Sequence, residues 1–328
     1  AVLRAPRWAP IFILRLRFPP GLSIATNRIS YLSVLVKMSK SRVFVIGASG
    51  NVGKATVNAL SKNYGEKLDI RAGVRNPDKV AEFQSLQGVT VVRAEMGKRD
   101  ELIEIFKDLD VLFIVVPGSD NRVELSRVTA EAAKEADVKH IISIGSTPGP
   151  RLTIGQQMLD IDSTITSLGI NYTILGLPWF MENYFMYKET VQKSSLVCDT
   201  IDPNKRFPAV CMDDLGFAAA LIMSSPEKHA GKKYFIVSDR HSFSDLVKGF
   251  SEALGKDVKY IQQSYEDVGA VMLQNGLTEK KIEGLVEYWK AVNAGEFEEG
   301  TINDFTAITG KQPTSVASWV KRYASVFK

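Results

Sequence analysis

Cysteine and histidine are scarce in this chain. The two cysteines, Cys198 and Cys211, have no C-x-x-C spacing. They exclude a disulfide framework and read as two partly buried thiols of a reducing compartment. The three histidines, His140, His229 and His241, are widely separated, and nothing has zinc-ligand spacing. No metal site is therefore expected. A run of about eighteen apolar residues is also missing. The nearest approach, IFILRLRF, is broken by two arginines, so no membrane span is expected.

Acidic residues are absent from the first 37 positions, which carry Arg4, Arg7, Arg15, Arg17, Arg28 and Lys37. The whole chain has a formal charge of +4, so the remainder sums to −2. The basic character belongs to this leader. The body has no basic field for nucleic acid. An arginine-rich, acid-free leader has the character of a mitochondrial transit peptide. The other reading makes Met38 the native start and the leader a gene-prediction artefact. The second reading implies a cytoplasmic protein, the first a mitochondrial one. With 45% apolar and 24% charged residues, the rest of the chain is ordinary globular protein.

After Met38 the pattern is regular. Short apolar runs at 42–46, 68–73, 89–93, 111–116, 140–144 and 172–175 predict strands. Between them, 52–60, 79–84, 100–107, 123–135 and 156–168 predict helices. The fourth run, VLFIVV, is apolar throughout, as a central parallel strand is. Strand–helix alternation with short connections specifies an α/β fold with a doubly wound, Rossmann-like parallel sheet. Beyond 178 the alternation loosens. Strands are expected at 207–211 and 234–237. Helices are expected at 212–223, 244–254, 265–273, 279–291 and 314–323. The division is a leader at 1–37, a dinucleotide-binding core at 38–178 and a small, mostly helical lobe at 179–328. The last core strand and helices are interleaved with that lobe.

The first strand runs into Gly47-Ala48-Ser49-Gly50-Asn51-Val52-Gly53, and a helix follows. That context suits a dinucleotide pyrophosphate. Gly47 makes the turn, Gly50 lets the backbone approach the phosphates, and Gly53 lets helix and strand pack closely. Ser49, Asn51 and Val52 supply the N–H groups at the helix start. A mononucleotide P-loop fails on spacing. Five residues separate Gly47 from Gly53, and Lys54 is followed by Ala55. An NAD site usually carries an acid at the end of the second strand. Here that strand ends Ala72-Gly73-Val74-Arg75, and Asp69 lies near its other end. The planar fork of Arg75 suits a 2′-phosphate, with charge added by Lys79, so NADPH is the expected cofactor.

The chain resembles the NmrA-like group of atypical short-chain dehydrogenases/reductases over residues 38–328. The resemblance rests on VIGASGNVG (45–53), AGVRNPDK (72–79), EAAKEADVKHIISIGS (131–146) and GINYTILGLPWFMENYF (169–185). MDDLGFAAALIM (212–223) and INDFTAITGKQPTSVASWV (302–320) also fit. It implies that Arg75 and Lys79 hold the ribose phosphate and that Glu95 stands near the adenine. Pro117, Gly118, Ser146 and Thr147 then lie beside the cofactor, and Pro178 and Trp179 approach the nicotinamide. Two departures stand out: Gly176, where many relatives have arginine, and Gly145, where serine is common.

Short-chain dehydrogenases use Tyr-x-x-x-Lys on the helix before the sixth strand as a proton relay. Here that helix reads QQMLDIDSTITSL, with neither residue, and Met158 stands where relatives often keep a lysine. Tyr184-Phe185-Met186-Tyr187-Lys188 has the spacing but lies beyond Pro178, so no catalytic side chain is assigned. Hydride transfer to an electron-poor acceptor needs orientation and a dry surface rather than a strong acid. Trp179, Phe180, Met181, Tyr184, Phe185 and Tyr187 are the candidate acceptor wall, and they fit a lobe core equally well. Glu182 and Asn183 are expected to fix the loop through backbone amides. The expected activity is NADPH-dependent reduction of a quinone-like or other conjugated acceptor. The alternative is a non-catalytic NADP(H) sensor that regulates a partner protein.

Overall fold

The computed structural model describes residues 40–149, 152–298 and 303–328. The leader expected at 1–37 lies outside them. The body is built on seven parallel strands: β1 (Ser41–Ile46), β2 (Leu68–Val74), β3 (Val89–Arg93), β4 (Val111–Ile114), β5 (His140–Gly145), β6 (Asn171–Gly176) and β10 (Lys232–Phe235). Their spatial order is β3-β2-β1-β4-β5-β6-β10. Strand order reverses between β1 and β4, the switch point where this architecture opens a ligand crevice.

Two-residue alternation assigns the faces. Val43 and Val45 of β1 point to one side, with α1 (Asn51–Tyr64) and α6 (Met212–Ser224). Phe44 and Ile46 point to the other, with α2 (Arg99–Phe106), α3 (Arg122–Glu135) and α4 (Thr153–Ser167). Helices α1 and α6 approach closely because α6 carries Gly216. A Cβ there would lie 2.5 Å from the Ala55 carbonyl oxygen.

Residues beyond β6 form a second apolar cluster around Tyr184, Phe207, Phe243, Phe250, Trp289 and Trp319. This lobe contains α5 (Lys188–Ser194), α7 (Phe243–Leu254), α8 (Tyr265–Gln274), α9 (Glu279–Asn293) and α11 (Val316–Tyr323), whereas α10 (Phe305–Thr309) packs on α6 in the first cluster through Phe305 and Ile308. The lobe also has short strands, of which the sequence reading anticipated only the one at 207–211. β7 (Trp179–Phe180), β9 (Phe207–Val210) and β11 (Asp239–His241) form one small sheet, while β8 (Leu196–Asp199) and β12 (Lys259–Gln262) pair in another. Two to four residues are too few to show period-two patterning. The helix expected at 79–84 is a 3₁₀ segment, Pro77–Ser85, with a kink at Val80.

The chain returns to the main sheet through β10, which pairs with β6 so that Phe235 lies opposite Gly176. The outer side of β10 is capped by Asp304. Its carboxylate accepts the Phe235 N–H at 2.7 Å, and its own N–H donates to the Phe235 carbonyl at 3.0 Å. None of the helices among the described residues is long and apolar enough to cross a membrane.

Candidate functional site

The glycine loop is held from below. The N–H groups of Gly47 and Ala48 donate to the Gly73 carbonyl at 3.1 and 3.0 Å, fixing the loop to the end of β2. Gly47 has φ +80°, and a Cβ there would lie 2.9 Å from the Val115 carbonyl. Gly53 does not face the crevice; a Cβ would lie 2.4 Å from the Gly47 oxygen and 2.6 Å from Ala48 Cα. It permits helix and loop to pack closely. Gly50 is different. Its φ of −78° suits any residue, and its nearest Cβ neighbour would be Gly47 O at 3.5 Å. Nothing inside the protein requires glycine there, so the bare backbone is available to something outside the chain. Helix α1 starts at Asn51 with no side-chain cap and no acid in its first turn. Its first N–H groups and positive dipole end remain available to an anion.

Above the loop lies a cavity of about 920 Å³. Gly47, Ser49, Gly50, Asn51 and Val52 form its floor. Arg75 and Glu95 enter from the ends of β2 and β3, Pro117 and Gly118 from that of β4, Thr147 from β5, and Pro178 from β6. Arg75 is exposed and has no ion-pair partner among the described residues. Asp69, at the far end of β2, is engaged with Arg71 at 3.2 Å. Lys79 is exposed on the 3₁₀ segment and is not part of the wall. Among the described residues, the charged groups on the cavity wall are Arg75, Glu95 and Arg122. Sequence reasoning missed Arg122, which reads as an ordinary helix-surface arginine.

Ser146, expected at the cofactor, is turned away from the cavity and buried. Its N–H and hydroxyl both donate to the Asp162 carboxylate, the hydroxyl at 2.7 Å. Lys233 of β10 also donates to Asp162, at 2.7 Å, and to the Ser146 hydroxyl. Asp162 therefore binds the end of β5 to α4 and to the sheet edge. It also accounts for Gly145, where a Cβ would lie 2.0 Å from Asp162 Oδ1. Gly176 is explained similarly: a Cβ there would lie 2.5 Å from the Ser146 carbonyl, leaving no space for the arginine of many relatives. Asp162 was legible only as one acid between the buried Ile161 and Ile165.

Helix α4 supplies Ile154, Gly155 and Met158 to the wall. Its N-terminus is held by the lobe, since the Glu287 carboxylate of α9 accepts the Thr153 N–H and hydroxyl, each at 2.9 Å. Among the described residues, no Tyr, Lys, His or Cys side chain lines the cavity. A proton relay of the short-chain dehydrogenase type has no side chain here to run through.

Of the six residues expected as an acceptor wall, Phe180 alone lines the cavity. Trp179 is stacked on Tyr288, with ring centroids 5.5 Å apart. Met181, Tyr184 and Tyr187 are buried in the lobe core. Phe185 packs between Trp319 and Tyr323 at 5.0 and 5.2 Å. The correction has a simple cause: the 3₁₀ turn Met181–Tyr187 points Met181, Tyr184 and Tyr187 into the lobe, where their apolar area is removed from water, and leaves Met186 exposed. The Tyr184 and Tyr187 hydroxyls bond to His241 and Asp199, and burial raises both phenols well above their ordinary pKa. Glu182 fixes the loop as expected, accepting the Met212 N–H and the Trp319 indole N–H, each at 3.1 Å. Burial pushes its pKa up. Asn183 makes no such bond among the described residues.

A seven-stranded parallel sheet with a glycine loop at its switch point defines a Rossmann-type nucleotide-binding protein. The profile of the NmrA-like family matches residues 39–319, and the chain belongs to that family. It is 22% identical to an NAD(P)H azoreductase of Xenophilus azovorans, over 87% of this chain and 99% of that one. It is 25% identical to quinone oxidoreductase 2 of Escherichia coli, with the same coverage. The solved triphenylmethane reductase of Citrobacter sp., complexed with NADP(H), superposes with a TM-score of 0.76 at 23% identity, over 86% of this chain and 99% of that one.

Proposed function

We propose that this chain is an NADPH-dependent reductase of quinone-like or related conjugated acceptors. The observation that carries the reading is the composition of the cavity above the glycine loop. It joins an uncapped helix start, a glycine that only an outside ligand needs, and an unpaired arginine at the end of β2. Among the described residues, it has no Tyr, Lys or His suited to activating an alcohol. The two relatives named for azo and quinone substrates support the same reading.

NADPH, when bound, supplies the hydride. In this reading Gly50 and the N–H groups of Asn51 and Val52 take the pyrophosphate, and Arg75 takes the 2′-phosphate. Glu95 lies towards the adenine, while Gly118, Thr147 and Pro178 shape the space for the nicotinamide. Met158, Ile154 and Phe180 give that space an apolar wall, which orients a flat acceptor and excludes water. Solvent delivers the proton that a reduced quinone takes up.

NADPH oxidation at 340 nm against a panel of quinones, azo dyes and triphenylmethane dyes tests the proposal. Turnover with at least one quinone is expected. Tight NADPH binding without turnover on any acceptor would overturn it in favour of the sensor reading.

A further inference from the structure

Among the described residues, Arg122 is the one cationic wall residue that the cofactor assignment leaves unused. It stands at the start of α3, immediately after the loop from β4. Its Nε donates to the Ser119 carbonyl at 3.0 Å, which orients the guanidinium. Neither Nη has a hydrogen-bond or ion-pair partner among the described residues. By contrast, Arg42, Arg71, Arg99, Arg127, Arg206 and Arg322 each have a carboxylate within 4 Å. Arg122 is half-buried, and the loss of water lowers its pKa from the usual arginine value. A partly desolvated guanidinium with two free, parallel donors favours an oxyanion that offers two accepting oxygens.

Asp120 lies near enough to favour its charge, though the two make no ion pair, and the wall beyond Arg122 is largely apolar. Leu125, one turn further along α3, lines the same cavity, as do Ile154 and Met158 of α4. Val123 and Met158 pack in one cluster, so the start of α3 faces α4. The other two charged wall residues, Arg75 and Glu95, enter from β2 and β3, on the opposite side of the switch point.

We propose that Arg122 is a specificity-determining residue that selects conjugated acceptors carrying a carboxylate or sulfonate group. This rests on the reductase reading and narrows it, from quinones and dyes in general to anionic ones. The same guanidinium disfavours acceptors with a permanent positive charge. The other source of an anion in this cavity is the cofactor, whose phosphates are met by the α1 N-terminus and Arg75 in the assignment above.

The test has a binding arm and a turnover arm. In the binding arm, 2-naphthalenesulfonate and 2-naphthol are titrated into the NADP⁺-saturated full chain by calorimetry. The sulfonate is expected to bind at least about tenfold tighter. Arg122→Met should erase the difference, and Arg122→Lys should retain part of it. In the turnover arm, the kcat/KM ratio of 1,4-naphthoquinone-2-sulfonate to 1,4-naphthoquinone should fall about tenfold in Arg122→Met, mainly through KM. Equal binding of the two naphthalenes by the parent chain would overturn the proposal. So would a tenfold loss of NADPH affinity in Arg122→Met with the selectivity ratio unchanged, which would assign Arg122 to a cofactor phosphate. If the parent reduces no quinone, the reductase reading fails, while the binding arm still decides the role of Arg122.

Discussion

The Tyr184 hydroxyl lies 2.6 Å from His241 Nε2, and both rings are shut away from solvent. A tyrosine whose hydroxyl is held there cannot reach an acceptor in the main cavity. Tyr184→Phe should therefore lower kcat with a quinone by less than about tenfold, where a proton relay supplies roughly 10²–10⁴. Its cost should appear in stability instead, about 1–2 kcal/mol by urea denaturation, because His241 loses its partner. A hundredfold loss of kcat in a folded variant would reinstate the tyrosine as an acid.

Gly50 and Gly53 should separate binding from folding. Gly50→Ala meets nothing closer than 3.5 Å, so its melting temperature should match the parent, while NADPH affinity should fall at least about tenfold. Gly53→Ala puts a methyl 2.4 Å from a backbone oxygen and should cost about 1–3 kcal/mol of stability. Thermal melts with and without NADPH read both. Equal melting temperatures for the two variants would contradict the packing described.

Arg75 should set the choice between nicotinamide cofactors. Titration should show NADPH bound at least about tenfold tighter than NADH, equivalent to about 1.4 kcal/mol from one charged contact. Arg75→Ala should remove most of that preference and leave NADH binding little changed. Equal affinities in the parent chain would remove Arg75 from the 2′-phosphate.

Asp162 should matter more than its lysine. Asp162→Ala leaves the Ser146 N–H, the Ser146 hydroxyl and Lys233 without their acceptor, and should cost on the order of 3 kcal/mol. The Lys233 side chain is 43% exposed against 11% for Asp162. Screening by water should hold Lys233→Met to about 1 kcal/mol or less. Denaturant melts giving the reverse order would show that the ion pair, rather than the serine contacts, holds α4.

His140 should make the fold acid-sensitive. The Thr173 hydroxyl donates to the His229 carbonyl, so His140 Nε2, at 2.9 Å from Thr173, is the donor of that pair. Burial, the largest effect, and neighbouring His229 bring the His140 pKa down to about 4. The unfolded ring takes up its proton near its ordinary value of about 6.5. Between those values the unfolded chain binds more protons, so stability should decline as pH falls from 6.5 towards 4 and this contribution should level off below. His140→Gln keeps a donor and does not titrate; its melting temperature should fall less steeply over that range. Parallel pH profiles for parent and variant would exclude His140 as a source of the slope.

The sheet was legible because VFVI and VLFI are short apolar runs alternating with helix patterns, which reads as buried parallel strands, and the glycine loop because its spacing is dictated by close approach. The aromatic run was not, since a ligand wall and a lobe core ask for the same side chains. Only the 3₁₀ geometry of Met181–Tyr187 separates the two. Asp162 and Arg122 escaped notice for another reason: what defines them is a partner distant in sequence, or the lack of one. Lys233 lies 71 residues beyond Asp162, and no local pattern announces such a pairing.

The edge strand β10 has a consequence for how the protein is made. During synthesis six strands emerge in order and can assemble as they appear. The seventh position stays vacant until residues 232–235 arrive, and its Asp304 cap comes later still. Until then the growing chain presents the bare side of β6, an open template for strand pairing. The wait grows with the length of chain between partners, as folding dominated by distant contacts is slow. Completion of the sheet edge is therefore one of the last steps available to the growing chain.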